Sequence, residues 1–137
     1  MALVYLTRRM HFNAAHRLHA ESLDSESNEK IYGPCNNPMG HGHNYELEIT
    51  IRGEPDPITG MVIDLKDLKD VVQREIIDRV DHKHLNHDVD FMRGIVPTAE
   101  NLVTVFWNIL KDAIPGGVLF ELVLYETPRN IVRYRGE

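Results

Sequence analysis

Residues 43–52 alternate without a break. Tyr45, Leu47, Ile49 and Ile51 fall on one parity, with Glu46, Glu48 and Thr50 on the other. Successive side chains of a strand point to opposite faces, so this stretch reads as an antiparallel strand with one face in a core and one toward water. Such a strand needs strand neighbours and a covering layer, and the rest of the chain supplies both. Residues 3–16 form a second strand, rich in β-branched and aromatic side chains. The turn Gly53–Gly60 leads to a short return strand at Met61–Ile63, and residues 118–126 and 130–135 are the last two strands, joined across Thr127-Pro128-Arg129. Two segments instead follow the helical period. One is capped by Asp64 and runs through Leu65, Leu68, Val72, Ile76 and Val80. The other, capped by Thr98 after Pro97, runs through Leu102, Val105, Phe106, Ile109 and Leu110 and stops before Pro115-Gly116-Gly117. The polar stretch Glu21–Lys30 reads as an exposed loop. The order strands, helix, helix, strands predicts an α+β domain over residues 1–137, with the helices on one face of an antiparallel sheet.

A formal net charge of −6 argues against a nucleic-acid partner, which calls for a basic surface. No apolar run approaches the ~18 residues of a membrane span, and Met1–Leu6 is too short for a signal-peptide core. One cysteine cannot form an internal disulfide, so the expected compartment is the cytoplasm. No GxGxxG or Walker sequence is present, so no nucleotide cofactor is expected in that mode. Eight histidines beside a single cysteine point instead toward a metal.

Each strand's parity can be followed into its polar end. Val4, Leu6, Met10, Phe12 and Ala14 continue into His16. Tyr45, Leu47, Ile49 and Ile51 continue backwards into His43 and His41. Val118, Phe120, Leu122 and Leu124 continue into Glu126. Polar groups on an apolar face cost several kcal/mol unless a hydrogen bond, metal or ligand satisfies them. His41-Gly42-His43 on extended backbone points both rings the same way, and His16 supplies a third imidazole. Three histidines with an open position are the pattern of a catalytic zinc site. Cys35 lies in a Gly/Pro/Asn-rich loop. It reads as a core filler, a fourth and closing ligand, or a thiol beside the metal poised to move protons. Asp81-His82 begins a polar run that is either a solvated loop or a carboxylate–imidazole relay. Glu126 is either an internal ion-pair partner or a bidentate acceptor for an amidine-like edge such as a 2-amino-4-oxo-pyrimidine ring.

The segments Phe12-Asn-Ala-Ala-His16-Arg-Leu18, Tyr32-Gly-Pro-Cys35-Asn-Asn-Pro-Met-Gly-His41-Gly-His43-Asn-Tyr45, Asp81-His82-Lys-His-Leu85, Pro97-Thr98-Ala-Glu100-Asn101 and Tyr125-Glu126-Thr127 resemble the 6-pyruvoyl-tetrahydropterin synthase family, from about residue 9 to the last residue. The resemblance implies the tunnelling fold: a four-stranded antiparallel sheet with two helices on one face. It further implies trimers that close a twelve-stranded barrel, two trimers in a hexamer, and sites between subunits. It implies a cytoplasmic, zinc-dependent lyase of tetrahydrobiopterin-type biosynthesis that converts 7,8-dihydroneopterin triphosphate to 6-pyruvoyl-tetrahydropterin and triphosphate. On this resemblance His16, His41 and His43 hold Zn2+, Cys35 is the general base, and Asp81 and His82 are its acid/base partners. Glu126 anchors the pterin, helped by Thr98, Ala99 and Glu100. Mg2+ could accompany the triphosphate, for which Arg8, Arg9, Arg17, Lys30, Lys83 and Arg129 are candidate contacts. Two alternatives remain. One is a 6-carboxy-tetrahydropterin synthase of queuosine biosynthesis, whose cysteine usually stands closer to the His-x-His unit than Cys35 does here. The other is a non-catalytic module in which Cys35 closes a structural zinc site.

Overall fold

The computed structural model describes residues 2–137. Strands β1 (Val4–His16) and β2 (His41–Gly53) pair antiparallel along their whole length, from Val4 opposite Gly53 to His16 opposite His41. This register sets Met10 against Leu47 and Phe12 against Tyr45 on one face, where the Phe12 and Tyr45 rings stack with centroids 4.7 Å apart. Tyr45, Leu47, Ile49 and Ile51 are fully buried, and each contributes on the order of 1.5–3 kcal/mol by leaving water. Strand β4 (Val118–Tyr125) continues the sheet antiparallel to β2, and β5 (Ile131–Tyr134) pairs with β4.

The covering layer is helical. Asp64 caps α2 (Leu65–Val72) by accepting from the Lys66 N–H. A π turn (Gln73–Ile77) and α3 (Asp78–Val80) extend it, and Leu68, Val72, Ile76 and Val80 are buried as the periodicity predicts. Leu65 is the exception, exposed on the first turn. Thr98 caps α4 (Ala99–Leu110), whose Leu102, Phe106 and Leu110 face the core while Val105 and Ile109 lie at its margin. Among the described residues no helix is long and apolar enough to cross a membrane.

The α+β class is as expected, and the structure corrects its details. The sheet has five strands in the order β3-β1-β2-β4-β5 rather than four. The added β3 (Lys83–His84) runs parallel to β1, held there by His82 N–H to Asn13 C=O and Leu85 N–H to Ala15 C=O, with Leu85 buried. The polar stretch read as a loop contains α1 (Ser25–Tyr32). Its cap is Asp24, which accepts from the Ser27 N–H, and its buried residue is an asparagine. The Asn28 carboxamide satisfies the Ala20 N–H and the carbonyls of Ala20, Leu23 and Asp24, so this helix carries no apolar stripe to read. Met61–Ile63 forms no strand; Ile63 is buried against the core from an irregular segment. A bulge where β4 faces Thr50 and Ile51 shifts its early parity, so Leu119 is buried, Val118 is exposed and Phe120 packs on Tyr5 from the other face.

Candidate active site

The β1–β2 register alone brings three imidazoles together. His16 stands opposite His41, His43 is two residues further along the same face, and all three rings sit at the polar end of the buried parity. Their centroids are 4.7, 5.1 and 4.8 Å apart, with planes nearly perpendicular. One ring nitrogen from each lies within 4.8 Å of the other two, and His16 Nε2 is 3.1 Å from His41 Nε2. A tetrahedral ion with ~2.0–2.1 Å bonds sets ligand nitrogens roughly 3.3 Å apart, so a small side-chain adjustment completes such a site.

The surroundings prepare the rings for that role. His16 is buried, and its Nδ1–H donates to the Pro97 carbonyl at 2.8 Å, which leaves the Nε2 lone pair facing the other imidazoles. The Tyr45 hydroxyl lies 3.4 Å from the same Nδ1. Burial lowers the His16 pKa to about 4, only partly opposed by the Pro97 contact. Burial also lowers His43, against the pull of the Glu126 charge. Both rings are therefore neutral at neutral pH, the form that binds metal. His43 Nε2 is buried without a hydrogen-bond partner, the kind of orphan that a bound ion satisfies. The donor set fits a metal ion.

The other expected residues fall into two groups. Cys35 sits in a short 3-10 turn (Gly33–Asn36) tied to the chain just after His16: its carbonyl accepts from the Leu18 N–H, and Arg17 Nε donates to the Asn36 carbonyl. Among the described residues, Cys35 is not part of the metal-capable group. Glu126 follows β4, its N–H donating to the Asn130 carbonyl, and its charge acts to raise the pKa of both His43 and Tyr45. The α4 N-terminus reaches the trio through Pro97. Thr98 is spent on capping the Asn101 N–H, Ala99 is buried and Glu100 is exposed.

Asp81 and His82 lie elsewhere. Asp81 Oδ1 accepts from the Asn13 N–H at 2.9 Å, and its Oδ2 is 3.0 Å from His82 Nδ1. The Asn13 N–H, with the imidazole second, holds the Asp81 carboxyl below the usual carboxylate range. The pair borders a cavity of about 430 Å³ shared with His11, Phe12, Asn13, Asn44, Tyr45 and Glu46. The pair thus sits at the edge of β1, where Asp81 and His82 both bind the Asn13 backbone, and is not part of the metal-capable group. Sequence reasoning missed the Pro97 carbonyl, since a backbone acceptor has no residue-type signal. It also missed Gly40, whose φ of +76° turns the chain into His41 against His84 and the His16 carbonyl.

Comparison with known proteins agrees on one group. The family model described as 6-pyruvoyl tetrahydropterin synthase matches residues 5–137. A 6-pyruvoyl tetrahydrobiopterin synthase of Poecilia reticulata is 47% identical over 133 residues, covering 97% of this chain and 90% of the relative. The Homo sapiens protein of the same name is 46% identical over 132 residues, covering 96% and 91%. The structure of Caenorhabditis elegans 6-pyruvoyl tetrahydropterin synthase superposes with a TM-score of 0.95 at 42% identity, covering 100% of this chain and 98% of that one.

Proposed function

The chain belongs to the 6-pyruvoyl tetrahydropterin synthase family, and we propose that it works as a zinc lyase, eliminating triphosphate from 7,8-dihydroneopterin triphosphate to leave 6-pyruvoyl-tetrahydropterin. The observation that carries the zinc assignment is the convergence of His16, His41 and His43 on one point, with His43 Nε2 buried and unpartnered. Bound there, zinc supplies Lewis-acid polarisation of the substrate's side-chain hydroxyls, which acidifies the adjacent C–H and O–H bonds.

The chain's own residues do the rest. Pro97 fixes the His16 tautomer. Cys35, held beside the segment that follows His16, takes the proton from the side-chain carbon. Glu126 accepts the amino and ring N–H of the pterin, a role supported by the reach of its charge to His43. Thr98, Ala99 and Glu100 flank that end through the α4 N-terminus. Asp81 and His82 act as a charge-assisted relay, the carboxylate orienting the imidazole through its Nδ1. In this reading the protein is a homo-oligomer, a dimer of trimers, in which each pair completes a neighbouring subunit's trio; the pair's place at the β1 edge, outside the metal-capable group, supports it. The reaction is redox-neutral: the side chain is oxidised to two ketones as the pterin ring is reduced, through proton shifts alone.

Metal removal tests this reading. Protein stripped with a chelator should release no triphosphate from the substrate, and adding Zn2+ should restore release together with the pterin product, identified by mass. Turnover by metal-free protein would overturn the zinc assignment.

A further inference from the structure

A second concave feature adjoins this site. A cavity of about 660 Å³ lies between the segment that follows His16 and the segment that precedes Pro97, with Arg17 and His19 on one wall, Val96 on the other, and Asn86 and His87 between them. Both walls are tied along the chain to groups that hold the trio. Arg17 directly follows His16, and Val96 directly precedes the carbonyl that holds the His16 ring. Arg17 is also anchored. Its backbone N–H and C=O are both held by the Asn86 carboxamide at 2.9 and 2.8 Å, and its Nε donates to Asn36, next to Cys35.

The Arg17 guanidinium is held by hydrogen bonds rather than by an ion pair. Among the described residues no carboxylate pairs with the half-buried Arg17, whereas Arg9, within β1, is neutralised by Glu46 and Glu48. His19 Nδ1 is engaged by the Asn36 carboxamide, and His87 packs its ring on His84, so both imidazoles hold defined positions. The opposing charge is Glu21, also on the cavity wall. A fixed guanidinium and two imidazoles around one concavity suit a polyanion, since hydrogen bonds to charged groups are the stronger kind and the guanidinium fork matches phosphate oxygens.

We propose that this cavity, organised by Arg17 with His19 and His87, is the polyphosphate subsite, receiving the triphosphate tail of the substrate and holding it as it leaves. The assignment rests on the lyase reading for its substrate, but not for its test.

The probe is inorganic triphosphate, titrated calorimetrically into metal-loaded protein and then used as a competitor in turnover. Wild type should bind it. Arg17→Gln and His87→Gln should each weaken binding roughly tenfold or more, Arg17→Lys should recover part of the loss, and Glu21→Gln should tighten it. If Arg17→Gln disturbs the Asn36 turn, as a changed melting curve would reveal, the His87→Gln and Glu21→Gln arms still decide. Affinity unchanged in both of those arms, or no binding by wild type, overturns the proposal; the former result places the anion on the metal alone. Wild type that binds triphosphate in the predicted manner yet forms no pterin product refutes the lyase reading and leaves the subsite standing.

Discussion

Gly40 is the residue on which the geometry of the trio depends most directly. Its φ is +76°, and a Cβ built there meets the His16 carbonyl oxygen and His84 Nε2, each at 2.8 Å. An alanine therefore suffers twice. A left-handed backbone costs a residue with a Cβ about 1–2 kcal/mol. Contacts this short force a backbone or ring shift of the kind that costs overpacked sites about 1–3 kcal/mol. Gly60 provides an internal control, since its φ is +74° and nothing lies within 4 Å of the added carbon. Gly60→Ala should lose about 1–2 kcal/mol and Gly40→Ala about 2–5, measured by urea denaturation of the metal-free proteins. The difference between the two isolates the contact with His16 and His84. Because the shift falls on the residue before His41, Gly40→Ala should also weaken zinc binding by roughly tenfold or more, as misplaced ligand supports do, while Gly60→Ala leaves it unchanged. Equal losses for the two variants, with equal zinc affinity, would refute the claim that this close approach fixes the ligand loop.

Cys35→Ala should give a folded protein that retains its metal and has lost turnover, checked by metal analysis, melting curve and product assay; loss of metal would mean that sulfur closes the site. Mixing Cys35→Ala with Asp81→Asn after co-refolding should restore part of the activity, because some sites then draw an intact cysteine from one chain and an intact relay from another. Activity no higher than the sum of the separate variants would argue against sites shared between chains. The pH dependence has a definite sign. Burial lowers the His16 pKa from 6.5 to about 4 in the metal-free fold, so the unfolded chain binds the extra proton first. The neutral ring's contribution is fully present above pH 6.5 and is lost as pH falls toward about 4, on the order of 3 kcal/mol in total. His16→Gln should flatten that limb of the stability profile, read from urea midpoints across pH.

Much of the fold was legible because the two long strands obey period two without interruption. Once Tyr45, Leu47, Ile49 and Ile51 define a face, His43 and His41 must lie on it, and the matching register of β1 adds His16. Parity survived in β4 for a more local reason. The bulge beside Thr50 and Ile51 displaced Val118 and Phe120, yet Leu122 and Leu124 lie beyond it and keep their face. Helix α1 was not legible by the same logic. Its stabilising devices are an aspartate cap and a buried asparagine, both polar, and a search for an apolar stripe passes over such a helix.

The Asp81–His82 pair shows where periodicity stops informing. Its placement is set by a π turn that lets both Ile76 and Ile77 reach the core before Val80 is buried, and by a residue, His82, with φ of +61°. Neither follows from residue spacing, since a π turn inserts one residue into the helical count and a left-handed histidine reverses the path without a glycine to announce it. The outcome is that Asp81 grips the Asn13 backbone from the sheet edge while His82 extends into solvent. In the proposed mechanism the relay of one chain, gripping β1 from the sheet edge, serves the trio of a neighbouring chain. It acts where an edge of one subunit is brought against the trio of another.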